Sequence, residues 1–290
     1  MTLAEERRTG TGTDRATTDL DRAARRENFP VASRLLPPHA RGKVVAFYRF
    51  ARAADDIADD PDALPEAKLG RLDAFGRGLS GQDGKGPAAA LRRALDDGRT
   101  PSDATALAAA GELLVAFRRD AGVIACADWA DLMAYCDVSA APVGRFLLAV
   151  HGEDAVTHGP SDALCAALQV LNHLQDIAED HRDLGRRYLP GDWMAAEGAA
   201  DADLVGPALT PALGRVVDRT LEATDALLTE AAPLPTLIAS RGLRMQAAAT
   251  VALGRRLHAL LRRGDPLAWR VALRRADFAR AGLSSLWFAP

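Results

Sequence analysis

The sequence predicts an all-α protein, built as a single-domain helical bundle around a central cavity. Alanine, leucine and arginine dominate, and apolar residues return at helical spacing in segment after segment. The alternation of β-branched and polar residues that is typical of strands is scarce. A chain of 290 residues is long enough to bury a large core within one domain.

Prolines and glycines mark the predicted helix ends. Pro37 and Pro38 precede the first helix, and Pro61 and Pro65 follow it. The glycine-rich residues 76–87 are predicted to form a flexible loop. The alternative of a phosphate-binding loop is disfavoured, because no strand precedes these residues and the required spacing is missing. The predicted helices span residues 39–60, 66–75, 88–97, 103–119, 129–135, 142–151, 161–184, 210–230, 236–263 and 266–281.

The boundaries of the domain follow from composition. Residues 1–26 are polar and lack the apolar stretch of a signal peptide, so they are predicted to form a disordered N-terminal arm. Residues 27–285 are predicted to form the helical domain, and residues 286–290 a C-terminal tail. No apolar run is expected to be long enough to cross a bilayer.

Charge and cysteine content restrict the partners and the compartment. The net charge is −3, with basic and acidic residues spread along the chain, so no nucleic acid partner is expected. Cys126, Cys136 and Cys165 form no CxxC pair and leave one cysteine over, which is typical of reduced thiols. A cytoplasmic location is therefore predicted.

An acidic stripe lies on the first predicted helix, in the stretch RAADDIADD. At about 100° per residue, four polar side chains fall within a stripe roughly 60° wide. They are Tyr48, Arg52, Asp55 and Asp59. Apolar residues cover much of the remaining circumference, so most of this helix should be buried. Its carboxylates then need a partner.

A second acidic stripe follows in LQVLNHLQDIAEDHRDL. The same geometry places its polar side chains within roughly 80° of one another, surrounded by leucines and an isoleucine. They are Gln169, Asn172, Asp176, Asp180 and Asp183. One such stripe alone would be interpreted as a solvated helix face. Two of them on mainly apolar helices indicate cations between them, because like charges at this spacing repel and buried carboxylates are costly.

The ligand types indicate magnesium. Oxygen donors without a Cys–His cluster suit Mg²⁺, which often completes its coordination shell with water and substrate phosphate. The alternative in a helical bundle is a carboxylate di-iron centre, which uses Glu-x-x-His pairs. No glutamate in this chain is followed by a histidine three residues later.

A magnesium cluster that faces a cavity suits a diphosphate leaving group, because the metal neutralises charge that grows on oxygen. Arg52, Arg187 and Lys43 are expected to donate hydrogen bonds to that group. A carbocation left behind would need a dry apolar cavity, and its candidate lining is Phe29, Phe47, Phe146 and Leu147. For each of these side chains the alternative is ordinary core packing.

Four segments together resemble a known family. They are DDIAD (55–59), NHLQDIAED (172–180), RRYLP (186–190) and YCDVSAAPVGRF (135–146). In order and spacing they resemble the squalene/phytoene synthases, which are trans-isoprenyl diphosphate synthases that make head-to-head products. The resemblance runs from about Asn28 to the last helices and implies the isoprenoid synthase fold.

The resemblance implies roles for individual positions. Asp55, Asp59, Asp176 and Asp180 would bind two or three Mg²⁺ ions together with substrate diphosphate. The following sets are implied for the remaining positions: Asn172 and Gln169 for the metal and water shell, Tyr48, Arg52 and Tyr188 for the phosphate oxygens, and Ala140, Val143 and Gly144 for the border of the prenyl pocket. Asp56, Asp60 and Asp183 are weaker candidates, and Asp137 departs from the residue expected in many relatives.

Within the family, three segments look most like the hydroxysqualene-forming enzymes of bacterial hopanoid biosynthesis. They are ENFPVASRLLPP (27–38), YRFARAADDIADD (48–60) and SAAPVGR (139–145). The resemblance implies ionisation of presqualene diphosphate and capture of the rearranged cation by water. No strand–GxGxxG–helix unit is present, and NADPH is not expected as a cofactor.

Two alternatives remain open at this stage. The first is a complete squalene or phytoene synthase, which also joins two allylic diphosphates. The second, from another class, is a non-catalytic helical assembly protein, although a structural role gives no reason to keep charge inside apolar helices. An apolar substrate also leads us to expect that the enzyme works beside the inner face of a membrane or receives its substrate from a neighbouring presqualene diphosphate synthase. For Leu286, Trp287 and Phe288 the favoured expectation is burial against the body of the protein, and contact with lipid is the alternative. The oligomeric state stays undetermined.

Overall fold

The computed structural model of the protein describes residues 38–122 and 124–288. The predicted N-terminal arm and Phe29 therefore lie outside the described residues. Within them the chain is helical, and the only extended pairing is an isolated parallel bridge between Ala125 and Arg187. The predicted all-α class is confirmed.

The described helices follow one another with short connections. The α-helices are α1 (Pro38–Ala58), α2 (Pro65–Ser80), α3 (Gly86–Ala94), α4 (Pro101–Asp120), α5 (Trp129–Ser139), α6 (Ala141–His151), α7 (His158–Gln175), α8 (Ile177–Leu184), α9 (Gly191–Glu197), α10 (Pro211–Ala231), α11 (Leu234–Leu237), α12 (Arg241–Leu261) and α13 (Arg275–Ser285). Short 3₁₀ turns lie at Asp96–Gly98, Ala155–Thr157, Asp201–Val205 and Leu286–Phe288.

Local chemistry explains where several helices begin. The Thr100 side chain accepts a hydrogen bond from the backbone N–H of Asp103 and caps α4, which has proline in its first turn. Asp128 caps α5 in the same way through the N–H of Asp131. Caps of this type satisfy N–H groups that have no partner within the helix. They fix the start of two helices that border the site.

The predicted loop 76–87 is partly wrong. Helix α2 continues through Gly76 to Ser80 and ends at Gly81, whose φ of 82° suits glycine. Gly78 cannot be exchanged freely, because a Cβ there would lie 2.8 Å from the Cβ of Ala88. The glycines of this stretch therefore serve close helix packing and a helix stop, in addition to the loop that remains between α2 and α3.

The predicted helix 161–184 is divided in two. Helix α7 ends at Gln175, and Asp176 leaves helical geometry with φ −108° and ψ 17° before α8 begins. The backbone bonds from Asp176 N to Asn172 O and from Asp180 N to Asp176 O are kept. Asp176 and Asp180 therefore remain neighbours across the break, as the sequence pattern predicts.

Two apolar clusters hold the helices that carry the acidic stripes. The first joins α1, α4 and α6 through side chains such as Phe50, Leu114 and Phe146. The second joins α7 to α10 and α12 through Leu171, Leu221 and others. Each fully buried Leu or Phe side chain contributes on the order of 2 kcal/mol to folding. The site lies where these two clusters meet.

The prediction that no apolar run is long enough to cross a bilayer is wrong for one segment, because residues 129–151 are apolar and long enough by length and composition alone. In the protein this segment consists of the two helices α5 and α6, and Pro142 lies in the first turn of the second. Of the apolar window, 56% is buried inside the protein. The segment is thus used as part of the core.

The last predicted helix begins later than residue 266. Asp265 accepts hydrogen bonds from the backbone N–H groups of Leu209, Leu267 and Ala268. These bonds fold residues 265–268 into a turn, as is typical of aspartate at such positions. Helix α13 starts only at Arg275. The Asp277 side chain accepts a hydrogen bond from the backbone N–H of Arg274, the residue that precedes the helix.

Candidate active site

A cavity of about 270 Å³ lies among helices α1, α4, α5, α6 and α7. Its polar part contains Asp55 of the aspartate motif on α1 and side chains from three other helices, and its apolar part is formed by alanine, leucine, valine and phenylalanine. The lining is Phe47, Tyr48, Ala51, Arg52, Asp55, Leu113, Ala116, Phe117, Asp120, Tyr135, Ser139, Val143 and Gln169. A concave apolar space with a few convergent polar groups is typical of a ligand site.

Three of the four side chains of the first predicted stripe line this cavity, and Asp59 is not among the lining residues. Tyr48, Arg52 and Asp55 all line it, one helical turn apart. Arg52 donates a hydrogen bond of 3.1 Å to Asp55 and lies 3.2 Å from Asp56. Burial raises the pKa of Asp55 to about 6, and the Asp59 carboxylate adds to the shift. Asp55 is therefore held in a place where its negative charge is incompletely balanced.

Asp59 is linked to a buried arginine that lies far away in sequence. The Arg186 Nη2 atom donates to Asp59 Oδ1 at 2.8 Å and to the backbone carbonyl of Asp120 at 2.9 Å. Arg186 is only 7% exposed. Nearby acidic groups raise its pKa further above the usual range, against the effect of burial. This guanidinium joins α1, the end of α4 and the loop after α8.

Two tyrosines continue this arrangement. The Tyr135 hydroxyl donates to the Asp120 carboxylate, with O–O distances of 3.0 and 3.2 Å. The Tyr188 hydroxyl lies 3.5 Å from that of Tyr135. Burial raises the pKa of Asp120 to about 6 and raises the pKa of both tyrosines, so the hydroxyls keep their protons at neutral pH.

The second motif reaches the same region through His173. Its ring stacks on Tyr188 with a centroid distance of 3.5 Å. The His173 Nδ1 atom lies 3.5 Å from Asp180 Oδ2, and its Nε2 atom lies 3.1 Å from the Gln169 amide. Burial lowers the pKa of His173, so the neutral ring is favoured. Asp180, Arg186 and Tyr188 also line a small recess beside the main cavity.

Asp176 lies at the break between α7 and α8. Burial raises its pKa to about 6, and the neighbouring Asp180 carboxylate is the next largest cause. The guanidinium of Arg270 lies 4.0 Å away and counteracts the shift. Asp176 with Asp180 therefore repeats the electrostatic situation of Asp55 with Asp59.

The donor set suits a magnesium ion in one respect and is incomplete in another. In both pairs an aspartate has a raised pKa because of burial and a like charge, and a cation would relieve that repulsion. In the described part of the chain, no three His, Cys, Asp or Glu side chains converge on one metal position. A Mg²⁺ ion at either pair would therefore need further oxygen ligands from water or substrate phosphate, which Mg²⁺ commonly takes up.

Several predicted pocket residues lie elsewhere in the described structure. Lys43 forms an ion pair with Asp103 and does not line the cavity. Phe146 is fully buried and stacks on Phe47, with ring centroids 3.9 Å apart. Leu147 packs between two core clusters. Lys43 is predicted to donate to the diphosphate, and that role stays a prediction. Phe146 and Leu147 are predicted to line the pocket, but neither is among its lining residues, because both pack into the core clusters.

The small residues Ala140, Val143 and Gly144, which are predicted to border the prenyl pocket, lie in different places. Val143 lines the cavity, and Ala140 is a buried residue at the junction of α5 and α6. Gly144 faces α7, where a Cβ would lie 2.4 Å from Ser161 Oγ and 2.8 Å from Cys165 Sγ. Its role is therefore close helix packing behind the pocket. Asn172 is half-buried on α7, and its predicted metal role stays a prediction.

Of the two adjacent arginines, Arg186 rather than Arg187 connects to the aspartates. Arg187 lies 3.5 Å from Asp201 and 3.7 Å from the sulfur of Met194. Arg187 nevertheless lines the small recess together with Asp180 and Tyr188, and its predicted role as a donor to the diphosphate stays a prediction. The parallel bridge at Ala125 fixes the backbone here, with Arg187 N donating to Ile124 O, so the two side chains point to different neighbours.

Four further residues at the site were missed by sequence reasoning: Asp120, Tyr135, Ser139 and His173. Tyr135 and Ser139 belong to the YCDVSAAPVGRF segment, so the segment was found without its polar side chains being singled out. Ser139 Oγ is buried without a hydrogen-bond partner among the described residues. Asp120 ends a helix beside two arginines and carries no local signal, because only its distant contacts reveal it.

Asp137, which departs from the expected pattern, lies outside the cavity lining. It accepts a hydrogen bond of 2.6 Å from Arg145, which also donates to Glu112 at 2.9 Å and to Asp162 at 2.8 Å. Four helices, α4 to α7, are tied together by this one guanidinium. The departure therefore has a structural explanation.

Comparison with known proteins agrees with this architecture. The sequence profile described as squalene/phytoene synthase matches residues 22–277. A hydroxysqualene synthase of Rhodopseudomonas palustris is 39% identical over 288 residues, covering 99% of this chain and 93% of that protein. A protein of the same name from Zymomonas mobilis is 39% identical over 253 residues, with 87% and 84% covered. A presqualene diphosphate synthase of the same organism is 32% identical over 186 residues, with 60% of each chain covered.

Solved structures give the same fold. A squalene synthase from Alicyclobacillus acidocaldarius has a TM-score of 0.71 and 30% identity, covering 88% of this chain and 96% of that one. A dehydrosqualene synthase solved with a ligand has a TM-score of 0.79 over 95% of this chain and 96% of that one. At 22% identity, the second match supports the fold alone.

Proposed function

The chain belongs to the squalene/phytoene synthase family, and from this premise we propose that it ionises presqualene diphosphate in a Mg²⁺-dependent reaction and lets water capture the rearranged cation, giving hydroxysqualene and diphosphate. It is an enzyme that acts on isoprenoid diphosphates. One observation carries the finer proposal. Three relatives named hydroxysqualene synthase are 36–39% identical to this chain over 87–99% of its length.

The two aspartate pairs are the proposed place of the metal. Asp55 with Asp59, and Asp176 with Asp180, would hold Mg²⁺ ions that also bind the substrate diphosphate. When bound, the metal neutralises the negative charge that grows on the diphosphate oxygens as the carbon–oxygen bond breaks. The raised pKa values of Asp55 and Asp176 support this proposal, because a cation relieves the repulsion that contributes to them.

The chain's own donors would hold the diphosphate. Arg52 lines the cavity beside Asp55, with its guanidinium largely exposed and directed along the same helix face. Tyr48 lies one turn earlier on that face. Arg186 is already engaged by Asp59 and Asp120, so its proposed part is to fix the Asp59 carboxylate in place. Positioning of this kind lowers the reorganisation needed during reaction.

The cavity would then receive the carbocation. Phe47 and Phe117 present aromatic rings in its wall, and such rings stabilise cations that are shielded from water. The electron pair of the broken bond leaves with diphosphate, and the oxygen of one water molecule forms the new bond and releases a proton. The polar atoms of Gln169 and Ser139 are the proposed groups that position this water. NADPH has no part in this proposal.

The second candidate is a complete squalene synthase, which would also form presqualene diphosphate from farnesyl diphosphate. Two similarities support this candidate. A solved squalene synthase is 30% identical to this chain, and a presqualene diphosphate synthase also matches it. The chain is less similar to the latter, with 60% of its length covered. We therefore propose that a neighbouring presqualene diphosphate synthase supplies the substrate, within the bacterial hopanoid route and at the cytoplasmic side of the membrane.

Incubation with two substrates separates these candidates. Purified protein with Mg²⁺ is given farnesyl diphosphate alone or presqualene diphosphate alone, and diphosphate release and lipid products are measured. We expect turnover of presqualene diphosphate only. Efficient conversion of farnesyl diphosphate to presqualene diphosphate or squalene would favour the second candidate. Absence of Mg²⁺-dependent diphosphate release from any C15 to C40 isoprenoid would revive the non-catalytic alternative.

A further inference from the structure

Residues 262–288 form a strongly basic segment in a chain whose net charge is negative. All of its arginines are exposed, namely Arg262, Arg263, Arg270, Arg274, Arg275 and Arg280. Its two acids are engaged within the protein. Asp265 accepts backbone N–H groups, and Asp277 is buried and accepts from Arg256 at 2.8 Å. The outward charge of this segment is therefore positive.

Helix α13 and the 3₁₀ turn after it have one buried side and one exposed apolar side. Asp277, Ala281 and Ser285 face the protein. At about 100° per residue, the opposite side carries Leu283, Leu286 and Trp287. These side chains are 67%, 55% and 87% exposed, respectively. We call the combination of these three residues with the flanking Arg274, Arg275 and Arg280 the α13 surface.

We propose that the α13 surface docks onto an anionic lipid bilayer. Exposed leucine and tryptophan side chains beside arginines are the composition of an interfacial helix, in which apolar groups enter the headgroup region and the cations contact acidic lipids. Trp287 carries the largest exposed apolar group among the described residues, and solvent exposure of such a cluster is unfavourable without a partner. The charge complementarity identifies that partner as an acidic lipid surface.

A second copy of the chain fits this surface less well. In a two-fold contact each residue meets the same region of the partner, so the arginines of the two copies would be brought together. Acidic groups that could neutralise them are missing from the exposed part of residues 262–288, since Asp265 and Asp277 are engaged. Repulsion between the two copies would oppose the burial of Trp287.

The basic segment 262–288, to which the α13 surface belongs, reaches the second aspartate motif at one residue. Arg270, from the same basic segment, lies 4.0 Å from Asp176 of the second motif. Trp269, beside it, is also exposed. Docking of the basic segment on a bilayer would bring Arg270 and the second motif toward the lipid phase, which is the natural reservoir of a water-insoluble substrate or product. This inference goes beyond the proposed function, because lipid binding is a property of the surface and can be measured without substrate.

Vesicle binding tests the proposal with the full chain. The protein is mixed with phosphatidylcholine vesicles that contain 30% phosphatidylglycerol or none, and the bound fraction is measured by co-sedimentation at low and high salt. We expect binding to the anionic vesicles that weakens as salt rises, and weak binding to the neutral ones. Failure of the wild-type protein to bind anionic vesicles at low salt would overturn the proposal.

Two sets of variants examine the two components of the surface. Arg274→Glu/Arg275→Glu/Arg280→Glu should weaken binding at least ~100-fold, since each basic residue contributes severalfold. Trp287→Ser should weaken it roughly tenfold through lost apolar burial. The matched control reverses exposed arginines at the other end of the chain, Arg77→Glu/Arg93→Glu/Arg99→Glu, and should bind much more like the wild type.

The outcomes are decisive in either direction. Circular dichroism should show unchanged helicity in all variants, because the altered side chains are exposed. Equal losses in the α13 set and in the control set would show that only net charge matters, and would overturn the assignment to this surface. A wild-type dimer that Trp287→Ser converts to monomer, measured by light scattering without lipid, would assign the surface to a second copy instead.

Discussion

The Nη2 atom of Arg186 lies 2.8 Å from Oδ1 of Asp59, although 127 residues separate them in sequence. The same nitrogen donates to the backbone carbonyl of Asp120 at 2.9 Å. One buried guanidinium thus connects the first aspartate motif with the segment that follows the second. We infer that this contact fixes the relative position of the two motifs.

Replacing Arg186 should therefore affect stability more than replacing its neighbour. Arg186→Met leaves Asp59 and the Asp120 region without their cation, so the free energy of unfolding should fall by about 2 kcal/mol. This loss is smaller than that for a fully buried ion pair, because Asp59 is partly exposed. Arg187→Met is the matched control and should cost less than about 1 kcal/mol. Urea unfolding measures both, and equal losses would contradict the assigned difference.

The aspartate pairs should be needed for turnover and unnecessary for folding. Asp55→Asn and Asp176→Asn should each lower kcat at least ~100-fold, equivalent to about 3 kcal/mol of transition-state stabilisation. Neither should lower the free energy of unfolding, because each removes one member of a repelling pair. The exposed Asp183→Asn serves as the control and should keep its activity. Near-normal kcat in both motif variants would show that the proposed metal positions are misplaced.

The sequence pattern predicts these pairs well because helical periodicity alone places Asp55 with Asp59 and Asp176 with Asp180. Even the break at Asp176 leaves the second pair adjacent. Periodicity cannot predict which side chains from distant elements meet them. The choice between Arg186 and Arg187 depends on a backbone bridge to Ala125, which has no local sequence signal.

Other misses have equally specific physical causes. Phe146 was expected at the pocket because aromatic residues suit a carbocation, but stacking on Phe47 buries it in the core. The late start of α13 results from the turn around Asp265, whose carboxylate accepts the N–H of the distant Leu209 as well as two local ones. Composition over the whole chain also concealed the basic segment 262–288, because acids elsewhere balance it.

Because burial raises the pKa of Asp120, the free energy of unfolding should decrease as pH rises through the range in which this carboxyl group loses its proton. Its pKa is about 6 in the folded protein and 3.8 as the ordinary value, so the folded state binds more protons between these values. The free energy of unfolding therefore decreases as pH rises through this interval, and this group contributes a loss of about 1 kcal/mol between pH 5 and pH 8. Asp120→Asn should remove that part of the pH dependence. Urea unfolding at both pH values measures the change, with Asp183→Asn as the control; an unaltered pH dependence in Asp120→Asn would contradict the burial of its charge.

Arg145 should be a stabilising centre outside the site. It bonds Glu112, Asp137 and Asp162 from three neighbouring helices, and its side chain is largely buried. Arg145→Met should lower the free energy of unfolding by about 2 kcal/mol, since three carboxylates lose their common partner. Arg118→Met, which breaks one exposed pair with Asp73, should cost at most about 1 kcal/mol. Thermal unfolding followed by circular dichroism compares the two, and similar losses would argue against a cooperative cluster.

We propose that water captures the cation that forms when presqualene diphosphate ionises in this enzyme. Reaction of the purified protein with presqualene diphosphate and Mg²⁺ in water enriched in oxygen-18, followed by mass spectrometry of the lipid product, tests it directly. We expect a C30 alcohol that contains one oxygen-18 atom, released together with one diphosphate. A hydrocarbon product without oxygen, or an alcohol without the label, would contradict it.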